Sequence, residues 1–572
     1  MLTLGDPSRR LRGVGLALAV LLTLFAGRLL QLQAVEASAA ADTAAGQRLT
    51  TIALPAARGA ITDRDGVVLA ATLDARDVTA DQTLVKDPEA TAAALAGLLA
   101  QDAGWLASRL TGDRRFVYLA RGVEPQTWDR VRALNLAGIF SQPTTRREYP
   151  SGDLAANLIG FVGQDGQGLG GVESSHQKVL AGVDGSRTYE RGLGGRAIPT
   201  ADVEERAAVP GAQVRLTIDG DIQWAAQDAI AATVAETGAE SGTVVVQDVR
   251  TGEILAMATA PTFDPANAAA SAKADRGNRA VSEVFEPGST GKVMTMAAVL
   301  EEGALGPDSV LTVEDSLKRG GSTFNDHNPH ATQRLTLTGV LAKSSNVGTI
   351  KAADTIGDEK LHTYLEKFGM GQPSGLKLPG ESRGRLPAVN TWSETTFPTL
   401  AFGQGYSLTA LQSTQVFATI ANDGVRVQPT LVAGTTSPDG VFTPVAPPSQ
   451  TQVVSPQTAQ TLRVMLEGVT SDEGTAPMAR IPGYRVAGKT GTAQRVDPAC
   501  RCYSGYTASF IGFAPADAPR LAVSVTLQDP VNGHYGGRLA GPVFRQVMSF
   551  ALQSLRIPPT GADAPVVRIT AP

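Results

Sequence analysis

The sequence predicts an α/β main domain, an antiparallel sheet covered by helices, standing behind an α+β pedestal and a single transmembrane helix. Three observations carry this. An uncharged apolar run from Gly13 to Gly27 follows Arg9, Arg10 and Arg12. A middle section mixes Ala- and Leu-rich helical spacing with charged turns. The C-terminal half contains strand-like runs separated by polar turns and ends in a helical stretch.

The anchor comes first. Leu29-Leu-Gln-Leu-Gln33 extends the apolar run past Arg28, so residues 13–33 can span a bilayer with Arg28 snorkelling to the far interface. Arginines precede the span and none of comparable density follows it, which puts residues 1–12 in the cytoplasm and the rest outside. A cleaved signal peptide is the rival reading, with a small-x-small site at Ala37-Ser38-Ala39. That site lies well beyond the apolar core, behind Arg28 and Glu36, so the anchor reading is favoured.

Residues 34–209 read as a noncatalytic pedestal. Asp65-Gly66 falls where a tight turn would join Ala60-Ile61 to Val67-Val68-Leu69. Residues 88–136 are Ala- and Leu-rich at helical spacing, and Arg147-Glu-Tyr-Pro150 and Gly168-Leu-Gly-Gly-Val-Glu173 are turn-rich, with charges read as structural. The main domain, residues 210–556, opens on the alternating Val214-Arg-Leu-Thr-Ile218. Asp219 can cap the helix that follows, whose apolar face is Ile222, Ala225, Ala226, Ala229 and Ile230. Two strand-like runs at 242–248 and 252–258, and three more at 485–494, 508–513 and 521–527, favour an antiparallel sheet. A helix from Pro542 to Leu555 can cover it, and residues 557–572 form a Pro-containing tail.

At 572 residues the chain is long enough for two folded domains. A net charge of −5 gives no basic footprint for nucleic acid, and 5% aromatic residues give no rows of base-stacking platforms.

The chemistry sits in three short patterns in order. They are Ser289-Thr-Gly-Lys292, Ser344-Ser-Asn346 and Lys489-Thr-Gly491, which spell SxxK, SxN and KTG. A serine hydroxyl attacks an amide only with a base within reach and donors aimed at the developing oxyanion. Residues i and i+3 share a helix face, so Lys292 can serve Ser289. Pro287-Gly288 breaks the preceding segment and starts a helix at Ser289, whose N-terminal dipole favours negative charge. A second SxxK, Ser175 to Lys178, lacks such a start. A phosphate-cradling loop ending at Lys292 is excluded, because Glu286 stands where its first Gly belongs and Val293 where its magnesium-binding hydroxyl belongs.

With these residues in view, the chain resembles the class B penicillin-binding proteins nearly end to end. The resemblance rests on the anchor with Arg28 to Gln33, Arg58-Gly-x-Ile-x-Asp-Arg-x-Gly66, Arg147-x-Tyr-Pro150 and Gly168-Leu-x-Gly-Val-Glu173. It continues through Thr251-Gly-Glu-Ile-Leu-Ala-Met257, Glu286-Pro-Gly-Ser289, Ser344-Ser-Asn346, Gly403-Gln-Gly405, Lys489-Thr-Gly-Thr492 and Tyr535-Gly-Gly537. It implies a penicillin-binding transpeptidase fold and a peptidoglycan D,D-transpeptidase. Ser289 would attack the penultimate D-Ala carbonyl of a stem peptide while Lys292 takes its proton. Ser344 would relay a proton to the leaving amine, Asn346 would hold the substrate amide, and Lys489 would add positive potential. Thr490 and Thr492, with Gly491 between them, would bind the substrate carboxylate, and the N–H groups of Ser289 and Thr492 would form the oxyanion hole. β-Lactams would be trapped at Ser289. A lysine base must be neutral, so burial and a second cation should depress the pKa of Lys292.

One position departs from the pattern: Gly291 stands where relatives often carry something bulkier, which predicts a looser helix at the dyad. No Glu-x-x-Leu-Asn motif occurs, so hydrolysis is less expected than transfer. The alternatives are an elongation-type transpeptidase or a catalytically lapsed structural component of the envelope machinery. The anchor and the Arg58 signature look closer to the septal branch. The resemblance also implies stem peptides on lipid-linked precursor polymer as substrate, and as partners a polytopic membrane glycosyltransferase and other division proteins. No cofactor or metal is implied, and Asp326, His327 and His330 are read as polar loop contacts. Cys500 and Cys502, one residue apart, leave oxidised, labile and free states open.

Overall fold

A computed structural model describes residues 7–35, 49–190, 198, 203–497, 500 and 502–571. The candidate cleavage site at residues 37–39 lies outside the described residues. The N-terminal helix, Pro7–Leu30, starts with Pro at its first position, where no N–H is needed. It continues as one π-helical turn, Gln31–Val35. It is long and apolar enough to cross a membrane, and none of its side chains is buried in the protein.

The pedestal is built on one long strand, Val68–Ala80. The expected hairpin pairs it with Ile61–Thr62, and Asp63 Oδ1 closes the turn by accepting from the N–H groups of Asp65 and Val67 at 3.0 and 2.8 Å. Helices Pro88–Leu99 and Ala103–Leu110 are capped by Asp87 and Asp102. The stretch read as helical is interrupted by the strand Val117–Val123, and a further strand, Ile139–Glu148, leads into the Arg147 motif. Both pair with Val68–Ala80. Long-range pairing there overrides local composition.

The charged turns of the pedestal meet in its interior. Glu173, with no exposed surface, receives Arg58 Nε at 2.5 Å on one carboxylate oxygen and Arg147 Nε at 2.7 Å on the other. Arg58 Nη2 also donates to the Glu173 carbonyl at 2.7 Å, and Arg147 Nη1 to the Gly59 carbonyl at 2.9 Å. The three signatures that carry these residues are thus one buried ion triad. Burial holds the Arg147 pKa below its usual range, partly offset by Glu173.

A seven-stranded sheet joins pedestal to main domain. Among the described residues its order is Phe442–Pro444, Val432–Thr436, Gln213–Leu216, Ile61–Thr62, Val68–Ala80 and Val117–Val123, with Ile139–Glu148 also on Val68–Ala80. The five expected strands of the main domain form a second, antiparallel sheet. Its order is Ile254–Ala260, Ser241–Asp248, Leu521–Gln528, Cys502–Ala514 and Ala487–Asp497. Side chains alternate across it. Val244 and Val246 join the core under helices Gly220–Thr237 and Gly536–Ser554. Val245 joins the core containing helices Lys292–Glu301 and Ala410–Ala421.

The last helix begins at Gly536, six residues before the Pro542 start read from the sequence. A Cβ on Gly536 would lie 2.2 Å from the Ser509 carbonyl oxygen and 2.3 Å from that of Gly491, and one on Gly537 would lie 2.4 Å from that of Thr475. Only the Gly-Gly pair lets the helix start against the KTG strand. Cys500 and Cys502 are joined by a disulfide.

Replacing Glu173 with Gln leaves two buried guanidinium groups without their counter-charge. We expect a loss of about 3–5 kcal/mol in pedestal stability, the usual cost of removing one partner from a buried ion pair, read by denaturant unfolding of the full chain.

Candidate active site

Ser289 sits in a one-turn 3₁₀ segment, Gly288–Gly291, and the α-helix proper begins at Lys292. The helix expected to start at Ser289 thus starts three residues later, behind a tighter turn. Thr290 Oγ1 donates to the Pro287 carbonyl at 2.8 Å and the Gly288 N–H to the Gly403 carbonyl at 2.8 Å, which ties the Ser289 turn to the Gly403-Gln-Gly405 loop.

Gly291 does not loosen this turn. A Cβ there would lie 2.3 Å from Tyr406 Oη and 2.9 Å from Gly403 Cα. Fully buried Tyr406 fills the space that a side chain at 291 would take. Among the described residues its hydroxyl has no hydrogen-bond partner.

The three motifs meet on Ser344. Lys292 Nζ donates to the Ser344 carbonyl at 2.5 Å and lies 3.2 Å from Ser344 Oγ. Lys489 Nζ reaches the same Oγ at 2.9 Å and contacts the carbonyl and Oγ1 of Thr490 at 3.2 Å. Both lysines have no exposed surface. Ser289 Oγ has no hydrogen-bond partner among the described residues, so the direct Ser289–Lys292 bond of a resting dyad is not formed. Catalytic hydrogen bonds are often long without substrate and tighten when it binds.

Local folding explains how Ser344 is held. It caps helix Leu337–Lys343 in the left-handed region, at φ +64°, a conformation that costs a non-glycine residue and marks functional turns. Ser345 caps the next helix, Asn346–Ala353, by accepting the Gly348 N–H at 2.8 Å. Asn346 Nδ2 donates to the Asn325 carbonyl at 2.9 Å, and Asp326 Oδ1 accepts the Val347 N–H at 2.9 Å. Asp326 Oδ2 faces His330 Nε2 at 3.1 Å, whereas the His327 ring packs edge-on to Tyr535.

Ser289, Ser344, Asn346, Thr490 and Thr492 line one cleft of about 640 Å³. Thr490 Oγ1 lies 2.9 Å from Thr475 Oγ1, and Thr492 Oγ1 accepts the Gly536 N–H at 3.3 Å. At Gly491 a Cβ would lie 2.3 Å from Ser509 Oγ, which explains the glycine of KTG. The cleft also takes in Lys343, Glu473, Thr475 and Arg538, which sequence reasoning passed over. Only Arg538 carried a signal, its place beside Tyr535-Gly-Gly537. Ser175, the rival serine, bonds His176 Nδ1 at 2.9 Å and does not line this cleft.

Burial pushes the Lys292 pKa down to about 7, with Asp326 pulling the other way. Burial, and then the facing Lys292, hold Lys489 well below the usual lysine range. The expected depression of Lys292 is present, but burial alone lowers it; the second cation acts the other way round, with Lys292 depressing Lys489.

Comparison with known proteins gives a consistent picture. The model of the penicillin-binding protein transpeptidase domain matches residues 242–549, and that of the penicillin-binding protein dimerisation domain matches residues 53–216. Penicillin-binding protein PbpB of Mycobacterium tuberculosis is 40% identical over 570 residues, covering 94% of this chain and 84% of that protein. Peptidoglycan D,D-transpeptidase FtsI of Escherichia coli is 36% identical over 553 residues, covering 95% of this chain and 91% of that protein. The crystal structure of penicillin-binding protein 3 from Mycobacterium tuberculosis in complex with ampicillin aligns with a TM-score of 0.73 at 36% identity. It covers 91% of this chain and all of that one.

The Gly291–Tyr406 contact predicts a size exchange. Gly291→Ala should cost about 1–3 kcal/mol through overpacking. Tyr406→Phe in the same background should recover part of it by removing the unpartnered hydroxyl, while the contact with Gly403 Cα remains. Thermal unfolding of the two variants and the pair checks this.

Proposed function

We propose, for a chain that belongs to the class B penicillin-binding proteins, a peptidoglycan D,D-transpeptidase that joins stem peptides through an acyl-enzyme on Ser289. The observation that carries this reading is the convergence of two buried lysines on Ser344 Oγ at 3.2 and 2.9 Å, in the cleft that Ser289 lines.

Ser289 Oγ attacks the penultimate D-Ala carbonyl, and neutral Lys292 takes its proton. Lys292 is already bonded to Ser344, so that proton has a route through Ser344 Oγ to the departing D-Ala amine. Lys489 supplies positive potential beside Ser344, and Thr490 and Thr492 take the terminal carboxylate. Asn346 holds the substrate amide. The N–H groups of Ser289 and Thr492 stabilise the oxyanion. An amine from a neighbouring stem then attacks the acyl carbon and leaves a crosslink. A β-lactam follows the first half of this path and stops at the acyl-enzyme.

The apolar helix Pro7–Leu30 supports a single-pass anchor with the N-terminus in the cytoplasm and the cleft outside. The septal branch is favoured over the elongation branch by the anchor and Arg58 signature. A polytopic glycosyltransferase bound through anchor and pedestal would supply the glycan.

Fluorescent penicillin should label the wild type and Ser175→Ala but not Ser289→Ala. Labelling of Ser289→Ala, or none of wild type, would overturn the assignment. Lys292→Ala should slow acylation by about 10²–10⁴, the usual worth of a positioned general base. The base must be neutral and its pKa is about 7. The acylation rate should therefore rise with pH through that value and fall about tenfold per pH unit well below it. A flat profile between pH 5 and about 8 would argue against Lys292 as the base. A fluorescent fusion should concentrate at the septum, and a side-wall signal would select the elongation alternative.

A further inference from the structure

A second cavity, of about 150 Å³, shares no residue with the catalytic cleft. It opens between the loop after helix Asp358–Lys367, helix Ala410–Ala421 and the paired strands Val425–Val427 and Gln450–Gln452. Its lining is polar, with Gln372, Ser374, Gln415, Gln428 and Thr451, and it holds one charged side chain, Arg426.

Arg426 is the anomaly. It is half-buried, yet among the described residues its guanidinium makes no hydrogen bond and no ion pair. Burial alone lowers its pKa, with no carboxylate to offset it. The only acid in residues 368–388 is Glu381. Its oxygens already accept the backbone N–H groups of Ser374, Gly375 and Lys377 at 2.6, 3.2 and 3.0 Å. A partly desolvated guanidinium gains from an anion, and its planar fork fits carboxylate or phosphate oxygens.

The surroundings make room for the guanidinium and add a second donor. Arg426 Nη1 lies 2.2 Å from where a Cβ on Gly369 would stand, and Gln428 Nε2 lies 2.2 Å from that of Gly375. Ser449 Oγ donates to Gln428 Oε1 at 3.0 Å, which leaves Gln428 Nε2 free to donate. The volume admits a small oxyanion with a water or two, at about 30 Å³ per water, and falls short of the roughly 300 Å³ at which drug-sized sites begin.

We propose that this cavity is a binding site for a small oxyanion, a carboxylate or phosphate group, held by the Arg426 guanidinium and the Gln428 amide. The site lies outside the acyl-transfer machinery, and its occupation would brace helix Ala410–Ala421 against the strands beside it.

The test uses the full chain in detergent. Sodium phosphate and sodium acetate are each titrated against sodium chloride at matched ionic strength, and thermal unfolding is followed. A ligand that binds only the folded state raises Tm in a saturable way. Wild type should show such a rise with at least one of the two anions, and in Arg426→Gln and Gln428→Ala the midpoint concentration should move up by about tenfold or more, as expected when a charge-assisted hydrogen bond is lost. A rise with phosphate alone assigns a phosphate ligand, and with acetate alone a carboxylate. Fluorescent penicillin labelling, which should be unchanged in both variants, reports that they fold. If Arg426→Gln fails to label, Gln428→Ala against wild type decides. No saturable rise beyond chloride in wild type, or an equal rise in a folded Arg426→Gln, would overturn the proposal.

Discussion

Two lysine side chains with no exposed surface share one hydroxyl, and the structure around Ser344 is arranged to keep them there. An isolated buried ammonium is costly, and two facing each other are more so. The cost falls if the pair gives up charge, which is what a general base requires. Lys292 can exist neutral near pH 7 because burial disfavours its charged form. Asp326 sets the other limit, since its carboxylate favours a proton on Lys292 while it fixes the first turn of the helix after Ser344. The position of Ser344 is in turn enforced by a helix ending on it in the left-handed region and another beginning two residues later. The strain at that one residue is held by caps on both sides.

The same economy of space governs the walls of the cleft. Where a neighbour leaves no room for a Cβ, the sequence places glycine: Gly291 against the Tyr406 hydroxyl, Gly491 against Ser509 Oγ, and Gly536 against the carbonyls of Ser509 and Gly491. The KTG strand is held between its sheet neighbour, Cys502–Ala514, and the start of the last helix. That contact aims the Gly536 N–H at Thr492. Such packing leaves little room for Thr490 and Thr492 to drift, and positional drift of about 1 Å can cost a catalytic site roughly 10²-fold.

Much of this was legible from residue types. The three motifs are short patterns of fixed spacing that stand in order along the chain, so their positions could be read without coordinates. The hairpin at Asp65-Gly66, the Asp219 cap and the five main-domain strands followed from local rules. What stayed hidden was non-local. Val117–Val123 and Ile139–Glu148 are strands because Val68–Ala80 is there to pair with them. Glu173, Arg58 and Arg147 come from three separate signatures, and nothing in their spacing announces that one carboxylate serves two guanidinium groups. The i, i+3 spacing allowed Lys292 to face Ser289 but could not show that its ammonium turns to Ser344 instead. Gly291 read as slack because its filler, Tyr406, is 115 residues away in the sequence.

The pedestal and the main domain are linked through paired backbone. Ile61–Thr62 lies between Val68–Ala80 and Gln213–Leu216, so one sheet carries the pedestal's hydrogen bonding into the main domain. Just beyond, the Thr217 N–H donates to the Leu431 carbonyl at 2.8 Å, Thr217 Oγ1 to the Ile254 carbonyl at 2.7 Å, and the Asp219 N–H to the Leu255 carbonyl at 2.9 Å. Ile254 and Leu255 belong to the outer strand of the catalytic sheet. Bending the pedestal against the main domain would break the pairing of Ile61–Thr62 with Gln213–Leu216 and the bond from the Arg64 N–H to the Ile218 carbonyl at 2.9 Å, and leaving such groups unpaired costs about 1–3 kcal/mol each. The Glu173 triad stiffens the pedestal end of the same sheet, because Arg147 lies on Ile139–Glu148 and also bonds Thr72 on Val68–Ala80. The pedestal and the sheet that carries the KTG motif are thus joined by a continuous path of hydrogen-bonded backbone.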